Sequence, residues 1–153
     1  MTATNQKPQP DRRGRSLAMI NKLVDSRTEM LALYTQLAHQ KPYTENAEVP
    51  AMLEEFCEAL VDYAANAHFQ LYRYFAEKNE RRQEIYVVAE AIYPRILEIT
   101  NKVLDFNDKY DCDNHSIPFN ELEKDLSHIG ESLADRIDLE DRLISAFGYS
   151  FAD

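Results

Sequence analysis

The sequence predicts an all-α protein, an antiparallel up-and-down four-helix bundle preceded by a disordered N-terminal lead-in. Three observations carry that prediction. Glycine is scarce, at three residues in 153. Alanine, leucine, glutamate, lysine and arginine fill long stretches in which apolar residues recur at the 3.6-residue period of a helix. The interruptions are few and short, and short connections make consecutive helices antiparallel neighbours. With 44% hydrophobic residues the chain can bury one sizeable core, so a single domain is expected over residues 16–150.

Residues 1–15 hold Gln, Pro, Asn and Arg with almost nothing apolar, which describes a disordered basic segment. Disorder is a simpler account of it than an arm for RNA or DNA. The first helix is expected from Ser16 to His39, with Leu17, Ile20, Val24, Leu31, Tyr34 and Ala38 along one stripe. The proline-bounded loop QKPYTENAEVP follows. Pro50 fits the first turn of the second helix, where a missing N–H loses no partner, and that helix is expected to reach about residue 79. Its core stripe is Phe56, Cys57, Leu60, Val61, Ala64, His68, Leu71 and Phe75. The charged run EKNERRQE separates it from a third helix bearing Ile85, Val88, Ala89, Ile92, Ile96, Ile99, Val103 and Phe106, in which Pro94 predicts a kink or a restart. After the loop DCDNHS, Pro118 opens a fourth helix with Leu122, Leu126, Ile129, Leu133, Ile137, Ile144 and Phe147 inward.

Charge is concentrated in one region. Between residues 105 and 141 stand twelve acids against Lys109, Lys124 and Arg136, a net of −9 within a chain of net −10. A surface of this sign repels nucleic acid and favours a basic partner, chiefly through association rate and choice of partner. An acidic face that simply keeps a protein soluble is an equally ordinary use of such charge. No apolar run reaches membrane-spanning length, and Asn21 and Lys22 interrupt the stretch that an export signal would keep apolar. A cytoplasmic protein is expected. Cys57, on a core face, and Cys112, in a loop, form neither a disulfide framework nor a metal-ligand spacing. Gly14, Gly130 and Gly148 are too dispersed to build a phosphate loop.

Helical wheels place Arg27, His68 and Glu140 within otherwise aliphatic core stripes. Helical bundles can house carboxylate and histidine ligands in their core, so a hemerythrin-like metal site with His68 and Glu140 is the alternative reading. Only one histidine faces inward, and Arg27 sets a permanent positive charge where a cation would sit. A buried ion-pair and hydrogen-bond network that fixes the register of the bundle accounts for all three residues. No metal and no cofactor are therefore expected. Catalysis is not expected either, because Cys57 and His68 point into packed core without a glycine-made cleft or oxyanion donors. His39, His115 and His128 are scattered over loops and polar faces.

The second helix is apolar on a second face. Phe69 lies roughly 140° from the centre of the core stripe, beside Asp62 and Ala65, with Glu58, Tyr72 and Arg73 around it. An aromatic ring among charges suits contact with another molecule.

Through FCEALVDYAANAHFQLY in the second helix, AEAIYPRI in the third, IGESLADRIDLEDRLI in the fourth and KP at 41 and 42, the chain resembles the Rsd/AlgQ family of regulators of sigma D. The resemblance covers residues 17–147. It implies an anti-sigma factor: a bundle that engages the C-terminal helix-turn-helix domain (region 4) of the primary sigma factor of RNA polymerase and keeps it from promoter DNA and core polymerase in stationary phase. It further implies that Asp62 and Phe69, which occupy the positions of a sigma-binding Asp and Phe in that family, contact the sigma factor. The family's Ser three residues after that Asp is Ala65 here, and its Asp-Arg-Trp in the first helix is Asn21, Lys22 and Leu23. A helix-turn-helix reader is basic because phosphate neutralisation supplies most of its affinity for DNA, so an acidic bundle can compete for it. The family is also linked to a second partner, the phosphocarrier HPr, and a scaffold that binds another such regulator through the same face is a further alternative.

Overall fold

The structure, a computed structural model, describes residues 8–43, 48–67, 83–111 and 116–146. Four helices account for most of them: α1 (Pro8–Ala38), α2 (Glu48–Asn66), α3 (Gln83–Lys109) and α4 (Phe119–Ala146). No strand occurs among the described residues. α1 packs along α2, α3 along α4, and α2 against α3. Side-chain contacts fix the directions. Lys109 at the end of α3 reaches Glu121 at the start of α4 at 2.7 Å. The Tyr34 hydroxyl, late in α1, donates to the Leu126 carbonyl, early in α4, at 2.8 Å, whereas the earlier Arg27 meets the later Asp141 at 3.0 Å. The result is an up-down-up-down bundle in which α1 and α3 are diagonal.

Buried positions alternate in steps of three and four along α2, α3 and α4, and in α1 as far as Met30, with half-buried Tyr34 between Met30 and Leu37; this spacing keeps one seam facing the partners. The seam is Ile20, Leu23, Arg27, Met30 and Leu37 in α1, and Val49, Leu53, Phe56, Leu60, Tyr63 and Ala67 along α2. It continues as Ile85, Ala89, Ile92, Ile96, Ile99, Val103, Phe106 and Tyr110 along α3, and as Leu122, Leu126, Ile129, Leu133, Arg136, Glu140 and Leu143 in α4. A row of rings ties three helices together, with centroid separations of 5.7 Å for Tyr34 and Phe56, 5.9 Å for Phe56 and Phe106, and 4.7 Å for Phe106 and Tyr110.

Three expectations are corrected, and of the kink or restart expected at Pro94 the restart does not occur. α1 begins at Pro8 instead of Ser16, because the first turn of a helix has no N–H partners to lose and so tolerates Pro8 and Pro10. Leu17 and Leu31, expected on the core stripe of α1, are 42% and 37% exposed. The seam runs through Leu23, Met30 and Leu37, and Leu31 follows Met30 by about 100° of helix. At Pro94 α3 neither ends nor restarts; Pro94 and Glu90, whose carbonyl loses its donor, are both exposed, so water can take the missing bond. Ile137 is only half-buried, and its neighbour Arg136 takes the core position. His68, Phe69, Leu71, Phe75, Cys112 and Phe147 lie outside the described residues.

Candidate functional site

One layer of the core is polar, and it lies where α2 approaches its last turn. α4 contributes Arg136 and Glu140, one turn apart, α2 contributes Tyr63, α1 Arg27 and α3 Thr100. Glu140 is fully buried; it accepts from the Tyr63 hydroxyl at 2.5 Å and from Arg136 Nε at 3.0 Å. Arg27 Nη1 stands 3.6 Å from the same carboxylate and 3.0 Å from Asp141 Oδ1. Arg136 Nη1 donates to Thr100 Oγ1 at 2.8 Å, and its guanidinium lies 5.4 Å from the centre of the Tyr63 ring. Two guanidiniums thus face two carboxylates, the balance a buried charge cluster requires.

Burial pushes the Glu140 pKa up from its ordinary value, and the charge and hydrogen bonds of Arg136, the Tyr63 hydroxyl and Arg27 offset only part of that shift. Burial, reinforced by the Glu140 charge, raises Tyr63 well above the ordinary tyrosine value, so its hydroxyl stays a donor. The layer brings Arg27 and Glu140 together. Sequence reasoning missed Tyr63, Thr100 and Arg136, although the three-and-four alternation through Leu133 and Glu140 points to position 136. Both oxygens of Glu140 already have donors, and among the described residues no group of three or more His, Cys, Asp or Glu is placed to hold a metal ion.

The same layer sets the outer face of α2. Consecutive helical residues differ by 100°, so seating Tyr63 on Glu140 turns Asp62 to solvent, beside exposed Glu58 and half-buried Ala65. Along the α3 side of this face runs a cleft of about 280 Å³. Its rim carries the carboxylates of Glu54, Glu58 and Asp62 from α2 and of Asp111 just beyond α3, and its lining is completed by Cys57, Val61, Asn107 and Tyr110. No lysine, arginine or histidine among the described residues lines it. Tyr110 is anchored by donating its hydroxyl to Asp125 Oδ2 at 2.5 Å, and burial, then that bond, raise its pKa far above the ordinary value.

A second cleft, of about 460 Å³ between α3 and α4, is mixed in charge, with Lys102, Lys109 and His128 set against Asp105, Asp125 and Glu131. There Lys109 Nζ holds both Glu121 and Asp125 at 2.7 Å. Burial works to raise the Asp125 pKa, but the bonds from Lys109 and Tyr110 outweigh it and hold the carboxyl below its ordinary value. Asp105, Asp108, Glu121, Glu123, Glu131, Asp135 and Asp138 are exposed, so the negative charge of this region lies at the surface, and the buried Arg136 is balanced by the buried Glu140.

The family described as regulator of RNA polymerase sigma(70) subunit, Rsd/AlgQ, matches residues 2–147, which span all four helices. The chain belongs to the Rsd/AlgQ family. Similar curated relatives are proteins named regulator of sigma D. That of Enterobacter sp. (strain 638) is 33% identical over 136 residues, covering 82% of this chain and 79% of the relative. That of Shigella boydii serotype 4 (strain Sb227) is 35% identical over 135 residues, covering 81% and 82%. That of Salmonella paratyphi A is 32% identical over 141 residues, covering 88% and 84%. No solved structure matches the chain. In this Rsd/AlgQ member Asn21 and Lys22 are exposed and Leu23 belongs to the core. No helix among the described residues is long and apolar enough to cross a membrane.

Proposed function

We propose that this Rsd/AlgQ protein is a non-enzymatic, cytoplasmic anti-sigma factor that binds the C-terminal helix-turn-helix domain (region 4) of the primary RNA polymerase sigma factor. By holding that domain it keeps the sigma factor from promoter DNA and core polymerase in stationary phase. The observation that carries the reading is the family match over residues 2–147. The acidic surface supports it, since a domain built to neutralise DNA phosphates is basic and is drawn to negative charge. The binding face is the outer side of α2. Asp62 is exposed there, and Phe69, which lies outside the described residues, stands seven residues further in the sequence, the spacing that puts two side chains on one side of an α-helix. Asp62 supplies a partner for a cation of the sigma domain, and Phe69 supplies the aromatic anchor that dominates many interfaces.

Titration calorimetry of the full chain against the isolated C-terminal sigma domain tests the reading. Phe69→Ala is expected to cost about 2 kcal/mol of affinity with the urea midpoint unchanged. Asp62→Arg is expected to weaken binding by opposing like charges, and added salt to slow association of the unmodified protein. Normal binding by both variants would refute this face. No binding by the unmodified chain would refute the function, and binding of HPr in its place would favour the scaffold alternative.

A further inference from the structure

We infer that the outward ridge of α3 is a self-association face, on which a second copy of this chain docks antiparallel about a two-fold axis. The inference stands apart from the sigma-binding reading, which uses the outer face of α2. Opposite its buried seam, α3 carries Val87, Ala91, Pro94, Leu97 and Leu104, all exposed; Val87, Leu97 and Leu104 are 52%, 42% and 47% accessible. Steps of four, three, three and seven residues keep these side chains on one side of the helix over about 25 Å. Of the five large apolar side chains that stand exposed among the described residues, three share this ridge, which is a stripe and not a scatter of single surface leucines.

What selects a second copy as the occupant is that the ridge complements itself. Taken in alternating steps of three and four, it reads Val87, Glu90, Pro94, Leu97, Asn101 and Leu104, and all six are exposed. Set two such helices antiparallel, with the two-fold axis between Arg95 and Ile96. Val87 then meets the partner's Leu104, Pro94 meets the partner's Leu97, and Glu90 meets the partner's Asn101. Apolar groups face apolar groups, and the one carboxylate in the row faces the one amide. Pro94 has no N–H, so the Glu90 carbonyl lacks its helical donor, and the partner's Asn101 amide comes level with that carbonyl. Charge is matched as well. Arg95 and Glu98, paired at 3.1 Å, flank the axis, so each arginine comes level with the partner's Glu98 and gains a further carboxylate. Residues 83–104 hold three acids (Glu84, Glu90 and Glu98) against Arg95 and Lys102, a net of −1, whereas residues 105–141 carry −9. The ridge thus avoids the region whose charge would keep two copies apart.

The test is sedimentation of the full chain from micromolar to millimolar concentration. A contact one helix wide and about 25 Å long is at the small end of specific interfaces, so the dimer is expected to be weak and concentration-dependent. Added salt is expected to strengthen it by screening the repulsion between two chains of net charge −10, an effect opposite to that expected for sigma binding. Leu97→Glu and Asn101→Asp, the second of which sets an acid opposite the partner's Glu90, are each expected to raise the dissociation constant by about tenfold. Leu31→Glu, at an exposed apolar site on α1, is expected to change it by less than about threefold. Urea midpoints check folding, and Asn101→Asp serves should Leu97→Glu unfold the chain. Cysteine linkage reads the register in a Cys112→Ser background, Cys57 being buried. Leu97→Cys lies beside its counterpart near the axis and is expected to form a disulfide-linked dimer on mild oxidation, whereas Leu104→Cys, about 25 Å from its counterpart, is not. A chain that stays monomeric at millimolar concentration, or a dimer that both ridge variants leave intact, would overturn the inference and leave the ridge to a different protein. Equal linkage through Leu97→Cys and Leu104→Cys would overturn the antiparallel arrangement.

Discussion

Replacing Glu140 by alanine removes the one carboxylate that Tyr63 and Arg136 share. Tyr63 loses its acceptor at 2.5 Å and Arg136 Nε loses its partner at 3.0 Å, while Arg136 itself is only 1% exposed. Breaking a buried ion pair by deleting one member costs about 3–5 kcal/mol, because the surviving charge is left in low dielectric. The lower end applies here, since Thr100 still holds Arg136 and Asp141 still holds Arg27. A loss of about 3 kcal/mol is a large share of the roughly 5–15 kcal/mol that stabilises a typical domain. Glu140→Gln keeps the volume and one acceptor but not the charge, so its cost is expected to be smaller than that of Glu140→Ala without vanishing. The double variant Glu140→Leu with Arg136→Met removes both charges together and is expected to be more stable than Glu140→Ala. Urea unfolding followed by circular dichroism of the four proteins measures these values. A Glu140→Ala loss below about 1 kcal/mol, or a double variant no more stable than Glu140→Ala, would mean that the carboxylate is solvated and the layer is not coupled.

Gly130→Ala is expected to destabilise the bundle by about 1–2 kcal/mol despite the better helix propensity of alanine, because the added Cβ would sit 2.9 Å from Tyr34 Cζ and closer still to its hydroxyl. Thermal unfolding should show a smaller penalty in combination with Tyr34→Phe, which removes the nearest atom. The acid limb of the stability curve carries two opposite contributions. Glu140 has a raised folded pKa, so its contribution is fully present below the ordinary 4.5 and lost as pH rises through the folded value. The stability gap between the unmodified protein and Glu140→Gln should therefore widen as pH falls across that window. Asp125 has a lowered folded pKa, so its contribution is present above the ordinary 3.8 and lost as pH falls through the folded value. The gap between the unmodified protein and Asp125→Asn should accordingly close in strong acid, as read from urea midpoints across the acid range.

The α3 stripe from Ile85 to Phe106 was legible because its aliphatic residues and its seam coincide. α1 was harder: Leu17 and Leu31 are as apolar as Leu23 and Leu37, and hydropathy alone does not choose between stripes about 100° apart. The seven-residue spacing does not choose either, since Leu17, Val24, Leu31 and Ala38 share it with Leu23, Met30 and Leu37; the packing of α1 on α2 and its contacts with α4 decide. Arg136 was hidden for a related reason. An arginine beside an isoleucine reads as surface until its burial is matched by Glu140 on the same helix and by Tyr63 and Thr100 from two others, and those partners are distant in sequence. The acidic α2–α3 cleft was equally out of reach, since it needs Asp111 placed against Glu54, Glu58 and Asp62 by the packing of α3 on α2.

The polar layer and the exposed face of α2 are two consequences of one rotational setting. Tyr63 meets Glu140 only if α2 is turned so that position 63 faces α4, and Asp62, one residue earlier, then faces solvent. A rotation of α2 by one residue, about 100°, would withdraw the Tyr63 hydroxyl from the carboxylate and move a different side chain into its place. In a wholly aliphatic layer such a rotation exchanges one apolar contact for another at modest cost. Here it would strand a fully buried carboxylate and a nearly buried guanidinium, each far costlier to leave unpaired than a methyl group is to misplace. The buried layer therefore holds Asp62 and the rim of the α2–α3 cleft in a fixed orientation, at the expense of the desolvation that raises the Glu140 pKa.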